Sequence, residues 1–288
     1  MTTSAWFDEA FEALTGFSPM GWQRRLFHDH FLRADIPSAC DLPTGLGKTS
    51  VMAIWVLALA RQASASRRPE LPRRLVYVVN RRTVVDQASS EAVALRTALR
   101  APELGGVLGA IRDALNSLCV DADHEASPLA ISTLRGQLAD NAEWRADPAR
   151  PAIIIGTVDM IGSRLLFSGY GRGFKSRPLH AGFLGQDALL LHDEAHLEPA
   201  FQTLVTAVQA EQRRCADSRK LRVMALSATQ RDGGGAPFQL VAEEFRERVV
   251  SERVNARKGI TFHPVKNERE IAATAAKLAL GYAGGGQA

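Results

Sequence analysis

The chain has 288 residues, 46% of them hydrophobic and 23% charged. That balance, at this length, buries a full core and excludes a disordered or fibrous chain. The formal net charge of +4 suits a polyanionic partner without identifying one. Three widely spaced cysteines (Cys40, Cys119, Cys215) exclude a disulfide framework and read as reduced, inert thiols.

The first ten residues lack the basic start and apolar core of a signal peptide. The longest apolar stretch, residues 51–60, is too short to span a bilayer. The expectation is a cytoplasmic protein with no membrane role.

In chain order, residues 1–37 read as amphipathic helix. Phe7, Phe11, Leu14 and Phe17 recur at helical spacing, and Trp22, Phe27 and Phe31 continue the stripe. Core packing accounts for such a stripe better than a partner groove. Short apolar runs then predict strands at 38–42, 75–79, 130–133, 152–156, 188–192 and 221–226. Helices are expected over 50–61, 84–100 and 198–214, and loops at 64–74, 121–127 and 169–185. After residue 236 the character changes, with a charged helix over 243–252, a short strand at 260–264 and an alanine-rich helix over 268–282. Strands alternating with longer helices predict an α/β fold: a mostly parallel sheet covered on both faces. Three regions are expected: 1–37, a lobe over 38–236, and a connector over 237–288.

Residues 41–49 read Asp-Leu-Pro-Thr-Gly-Leu-Gly-Lys-Thr. In the loop Pro43, Thr44, Gly45, Leu46 and Gly47, expected to bind ATP, the two glycines let backbone N–H groups approach phosphate oxygens, because a Cβ on either would crowd them. Lys48 supplies a point charge for β- and γ-phosphates, and Thr49 a hydroxyl for Mg²⁺. The apolar helix that follows would aim its N-terminus at the same anion. A solvated Gly/Lys turn is the plain alternative, and the strand-like and helix-like flanks argue against it.

Residues 188–192 form an apolar run that ends at Asp193 and Glu194. Ligands sit at the carboxyl ends of such strands. Asp193 can hold Mg²⁺ through water, and Glu194 can orient or deprotonate an attacking water. His192 reads as a strand-end packing residue. No cysteines and histidines stand at zinc spacing, so no structural metal is expected. Arg81 and Arg82 follow a predicted strand tip.

On these residues the chain resembles the first RecA-like lobe of a superfamily 2 helicase of the P-loop NTPase class. Gln23, ahead of the phosphate loop, resembles the glutamine that reads adenine. Arg81 and Arg82 lie in Asn80-Arg-Arg-Thr-Val-Val-Asp-Gln87, similar to a motif that contacts the strand backbone. Arg135 and Gly136, in Ser132-Thr-Leu-Arg-Gly136, and Thr157, in Gly156-Thr-Val-Asp-Met160, resemble two further nucleic-acid motifs. Ser227, Ala228 and Thr229 resemble the element that couples hydrolysis to lobe movement. His196 completes an Asp-Glu-Ala-His box, and the resemblance counts it with Lys48, Asp193 and Glu194 as the catalytic set.

More narrowly, the phosphate loop, residues 79–87, 156–160 and 190–197 resemble the helicase–nuclease of type I CRISPR interference. The resemblance covers nearly the whole chain. It implies ATP and Mg²⁺ as cofactors, single-stranded DNA as substrate, a surveillance complex as recruiting partner, 3′-to-5′ translocation, and an HD nuclease elsewhere in the protein. The chain departs from that pattern in two respects, and from the general phosphate-loop pattern in one. No nuclease fits ahead of residue 41, and the lone His28-Asp29-His30 cannot build a two-metal site. The general loop pattern also has Gly or Ala where Leu42 stands. No arginine-finger segment of a second lobe is present, so the expectation is a fragment that enters a second lobe after residue 236. A DEAH-type RNA or DNA-repair helicase is the competing enzyme reading. A remnant that binds nucleic acid or a protein partner without turnover is the competing non-enzyme reading.

Overall fold

Leucine-, isoleucine- and valine-rich runs, apolar on both faces, build the sheet. They are β1 (Ala39–Asp41), β2 (Arg74–Val79), β3 (Ala130–Leu134), β4 (Ala152–Thr157), β5 (Ala188–Asp193) and β6 (Arg222–Ser227). A two-residue β7 (Phe238–Gln239) completes a seven-stranded sheet among the described residues, in the order β3-β4-β2-β5-β6-β1-β7. Every pairing is parallel, which requires helices on both faces. This is the α/β P-loop NTPase arrangement. The computed structural model describes residues 3–100, 105–120, 127–134, 143, 147–169, 173–227, 237–256 and 259–282. They divide into two compact units, residues 1–254 and 255–288.

Side-chain alternation splits the core of the first unit between the two faces. Leu75, Tyr77 and Val79 of β2 join one cluster with Phe7, Phe11, Trp22 and Trp55. Val76 and Val78 join the other with Ile161, Phe183 and Phe201. On the first face lie helices α1 (Thr3–Thr15), α2 (Gly21–Arg25), α3 (Val51–Ala65), α4 (Arg82–Ala98) and α5 (Gly106–Asn116). On the second lie α6 (Val158–Leu165), α7 (Arg177–Gly185) and α8 (Pro199–Arg214). α3 is buried over every residue from Val51 to Ala60, as its all-round apolar composition requires. Its Trp55 donates an indole hydrogen bond to the Pro72 carbonyl at 2.9 Å.

Because the strands are parallel and in register, their carboxyl ends lie along one edge. Asp41 stands opposite Ser227, Leu226 opposite Asp193, Val78 opposite His192, and Val79 opposite Thr157. All the motif-bearing strand ends therefore open on the same side.

The six expected strands form within two residues of the anticipated bounds, but four details differ. Phe17 is 74% exposed, because α1 stops at Thr15 and a left-handed Gly16 turns the chain away. Residues 177–185 form a helix, opened by a proline in its first turn, where a loop was expected. The charged helix over 243–252 is broken into a 3₁₀ turn (Glu244–Arg246) and α9 (Arg248–Val254). The strand at 260–264 does not form: Ile260 and Phe262 are 79% and 86% exposed, and a strand without a partner has no ladder to hold it.

The second unit carries α10 (Glu268–Tyr282), with Ile271 and Leu280 exposed on its surface. A helix of this length is marginal in water without packing against another element. Limited trypsin digestion should therefore cleave within 255–288 first and leave a resistant fragment ending near residue 254. Equal resistance of tail and core would contradict this.

Candidate nucleotide site

β1 delivers the chain to the loop at Asp41, and Leu42 and Leu46, both fully buried, anchor that loop to the core. Gly45 (φ +87°) and Gly47 (φ +70°) adopt left-handed conformations that other residues enter only under strain. A 3₁₀ turn (Lys48–Ser50) then feeds α3. Lys48 Nζ is buried and has no hydrogen-bond partner among the described residues. Its charge acts on Asp193 at the end of β5 and on Cys40 in β1. A buried ammonium with no partner is costly, and phosphate oxygens are the groups that would satisfy it. The site thus fits a phosphate-bearing ligand.

Asp193 ends β5, and the Tyr77 hydroxyl donates to its Oδ2 at 2.9 Å. Burial raises the Asp193 carboxyl above its usual range; the Tyr77 hydrogen bond and Lys48 pull it back, and Glu194 pushes it up. Tyr77 occupies one carboxylate oxygen, and the other can hold a hydrated cation. Glu194 is a non-glycine residue in the left-handed region (φ +52°), a strain of the kind that concentrates at functional sites. Its N–H donates to the Leu226 carbonyl at 2.9 Å, tying it to β6. Its carboxylate stands 3.5 Å from His196 Nδ1.

Tyr77 was not singled out from sequence, because a tyrosine in an apolar run reads as core. Tyr77→Phe should destabilise the protein by about 1.5–3 kcal/mol, the range for a bond to a charged group. In an Asp193→Asn background the same substitution should cost measurably less. Urea denaturation of the four proteins checks this, and strict additivity would contradict it.

Gln23 is 3% exposed. Its Oε1 accepts the Met20 N–H at 2.7 Å, and its Nε2 donates to Ser50 Oγ at 2.7 Å. An adenine there would meet only the second amide N–H and the second lone pair. Gln23 lines a cavity of about 840 Å³ together with Gly47, Thr49, Ser50 and Glu91. Glu91 on α4 is a second residue missed from sequence: nothing in its local spacing signals that α4 turns it toward the loop.

Among the remaining expected residues, Arg81 follows β2 as the exposed residue preceding α4. Thr157 ends the adjacent strand β4 and precedes α6. Arg82 is the first residue of α4, and its side chain is not described. Ser227 ends β6 opposite Asp41, and its side chain is likewise not described. Arg135, Gly136, Ala228 and Thr229 lie outside the described residues. His192 packs edge-on against Phe201, with its Nδ1 3.1 Å from Gln202 Oε1. Burial lowers its pKa, keeping it neutral at physiological pH. Burial likewise pushes the Cys40 thiol up to about 12, so it is not a nucleophile.

Two solved structures resemble the model. One is the DEAD-box helicase Mss116 bound to ssRNA and UDP-BeF: 14% identity, TM-score 0.46, covering 78% of this chain and 39% of that one. The other is the yeast DEAD-box splicing factor Prp28: 15% identity, TM-score 0.44, covering 97% of this chain and 57% of that one. The chain therefore spans less than two thirds of either protein. No curated protein matches it in sequence. No described helix is long and apolar enough to cross a membrane. Residues 27–232 match the family model described as ResIII, type III restriction enzyme, res subunit. That match covers well over half of the chain, which therefore belongs to the ResIII family and carries a superfamily 2, ATP-dependent helicase-type domain.

Proposed function

We propose that the chain is the nucleotide-binding first lobe of an ATP-driven motor acting on single-stranded nucleic acid. One observation carries the reading: a buried, unpartnered Lys48 ammonium within electrostatic reach of Asp193 at the shared carboxyl edge. In this reading Lys48 and the loop N–H groups of residues 44–49 hold the triphosphate. Thr49 and Asp193 would hold the magnesium, which would supply charge neutralisation to the phosphates. Glu194, fixed by its bond to β6 and paired with His196, orients the attacking water and takes its proton. Gln23 reads the base. Arg81, Arg82, Arg135, Gly136 and Thr157 contact the strand backbone, and Ser227, Ala228 and Thr229 transmit nucleotide state.

Arginines that a second lobe brings to the nucleotide contribute roughly 10³–10⁵ in rate to related phosphoryl transfers. Slow hydrolysis is expected of this chain alone, and translocation belongs to a two-lobed protein. The substrate we propose is DNA, and the context CRISPR interference. The motif words at 41–49, 79–87, 156–160 and 190–197 support the latter. Membership of a restriction-enzyme family, itself part of a nuclease system, supports the former.

The test is binding of labelled oligo-dT and oligo-rU to wild type and Lys48→Ala, with and without Mg·ATP. Tighter dT binding that responds to ATP only in wild type supports the motor reading. Strand binding indifferent to both Lys48 and ATP would leave only a nucleic-acid-binding remnant. A surveillance-complex operon around the gene supports the CRISPR assignment, and its absence removes it.

A further inference from the structure

The segment from β7 to α9 walls one side of the nucleotide cavity, and no motif accounts for its contacts. Gln239 Nε2 donates to Asp41 Oδ2 at 3.0 Å, at the root of the phosphate loop. Glu244, nearly fully buried, holds Arg25 through both oxygens at 2.8 and 2.9 Å. Glu247 accepts the Gly21 N–H at 3.0 Å, so closely that a Cβ at Gly21 would lie 2.1 Å from its oxygen. These three ties fix where α9 begins. In its last turn Arg253 Nη1 donates to the Gly45 carbonyl oxygen at 2.8 Å. Arg253 lines the same cavity as Gly47, Thr49 and Ser50.

A trans peptide points its C=O and N–H in opposite directions, and no described peptide bond is cis. The Gly45 carbonyl is held toward α9, so the Leu46 N–H points away from it. Gly45, at φ +87°, has a glycine's conformational freedom and gains from being held. A guanidinium on that carbonyl also polarises the peptide and makes its N–H a better donor.

We propose that Arg253 is a positioning residue for the phosphate loop: its grip on Gly45 holds the Leu46 N–H in the orientation that a nucleoside di- or triphosphate needs. The inference rests on the nucleotide-site reading above. The contact is exposed, so it adds little to the stability of the free chain. Its effect belongs to the bound state.

The experiment measures ADP·Mg and AMP affinity and the melting temperature of the free chain, for wild type, Lys48→Ala, Arg253→Ala and Arg253→Lys. Arg253→Ala should raise the Kd for ADP·Mg about tenfold, the effect of one hydrogen bond at the weaker end of the charged range. It should leave AMP affinity and the free melting temperature unchanged. Arg253→Lys should recover most of the loss, since an ammonium can donate to the same carbonyl. Wild-type ADP affinity in Arg253→Ala overturns the inference while leaving the site reading intact. Equal losses for AMP and ADP, or a lowered free melting temperature with no rescue by lysine, mark a purely structural role and also overturn it. If wild type binds no better than Lys48→Ala, the site reading fails and the inference goes with it.

Discussion

Replacing Lys48 by alanine should remove magnesium–nucleotide binding and leave the free protein at least as stable as wild type. The two halves of this prediction share one cause. Lys48 Nζ is buried without a hydrogen-bond partner, so in the free protein it is a desolvated charge with little return. Its attraction to Asp193 offsets part of that cost. Phosphate oxygens supply the partners. Two charge-assisted bonds at about 1.5–3 kcal/mol each correspond to a loss of about 10²–10⁴-fold in affinity. Anisotropy of a labelled ATP measures the first half, and thermal denaturation without nucleotide the second. Undiminished binding, or a free protein that unfolds, would contradict it.

Glu194→Gln should separate binding from turnover. The substitution keeps the side-chain shape, the left-handed backbone and the Glu194 N–H bond to Leu226, but removes the basic oxygen. Loss of a positioned general base costs about 10²–10⁴-fold in rate. Nucleotide affinity should stay within about threefold of wild type, because in the proposed reading Lys48 and the loop, not Glu194, meet the phosphate charge. Slow hydrolysis is the expectation for the lobe alone, so the comparison needs single-turnover release of labelled phosphate over hours. A variant that hydrolyses at the wild-type rate would move the base elsewhere. One that fails to bind would make Glu194 part of the ligand shell.

The loop, the acidic pair and the strands beneath them were legible because each is a local pattern. Residues 41–49 carry their own conformational demands in Gly45 and Gly47. The run ending at Asp193 is apolar on both faces, as a buried parallel strand must be. What sequence did not reveal depends on chain-distant partners. Tyr77 looks like any core residue of β2 until β5 sets Asp193 beside it. Glu91 stands beside Thr49 and Ser50 at the cavity only because α4 packs back toward the loop. Arg253 reaches Gly45 across 208 positions of chain. β7 is two residues long, below the length at which alternation can be recognised. The opposite error arose at 260–264, where an alternating pattern suggested a strand, but pairing is not a property of the segment alone.

The central claim is that Lys48 and the acids of β5 serve one magnesium-bound nucleotide. Electron paramagnetic resonance of Mn²⁺, in place of magnesium, with a non-hydrolysable ATP analogue tests it most directly. The account predicts one bound ion per chain only when nucleotide is present, with occupancy falling in both Lys48→Ala and Asp193→Asn. An ion that binds without nucleotide, or whose occupancy ignores either substitution, would show that the loop and the acids do not share a ligand.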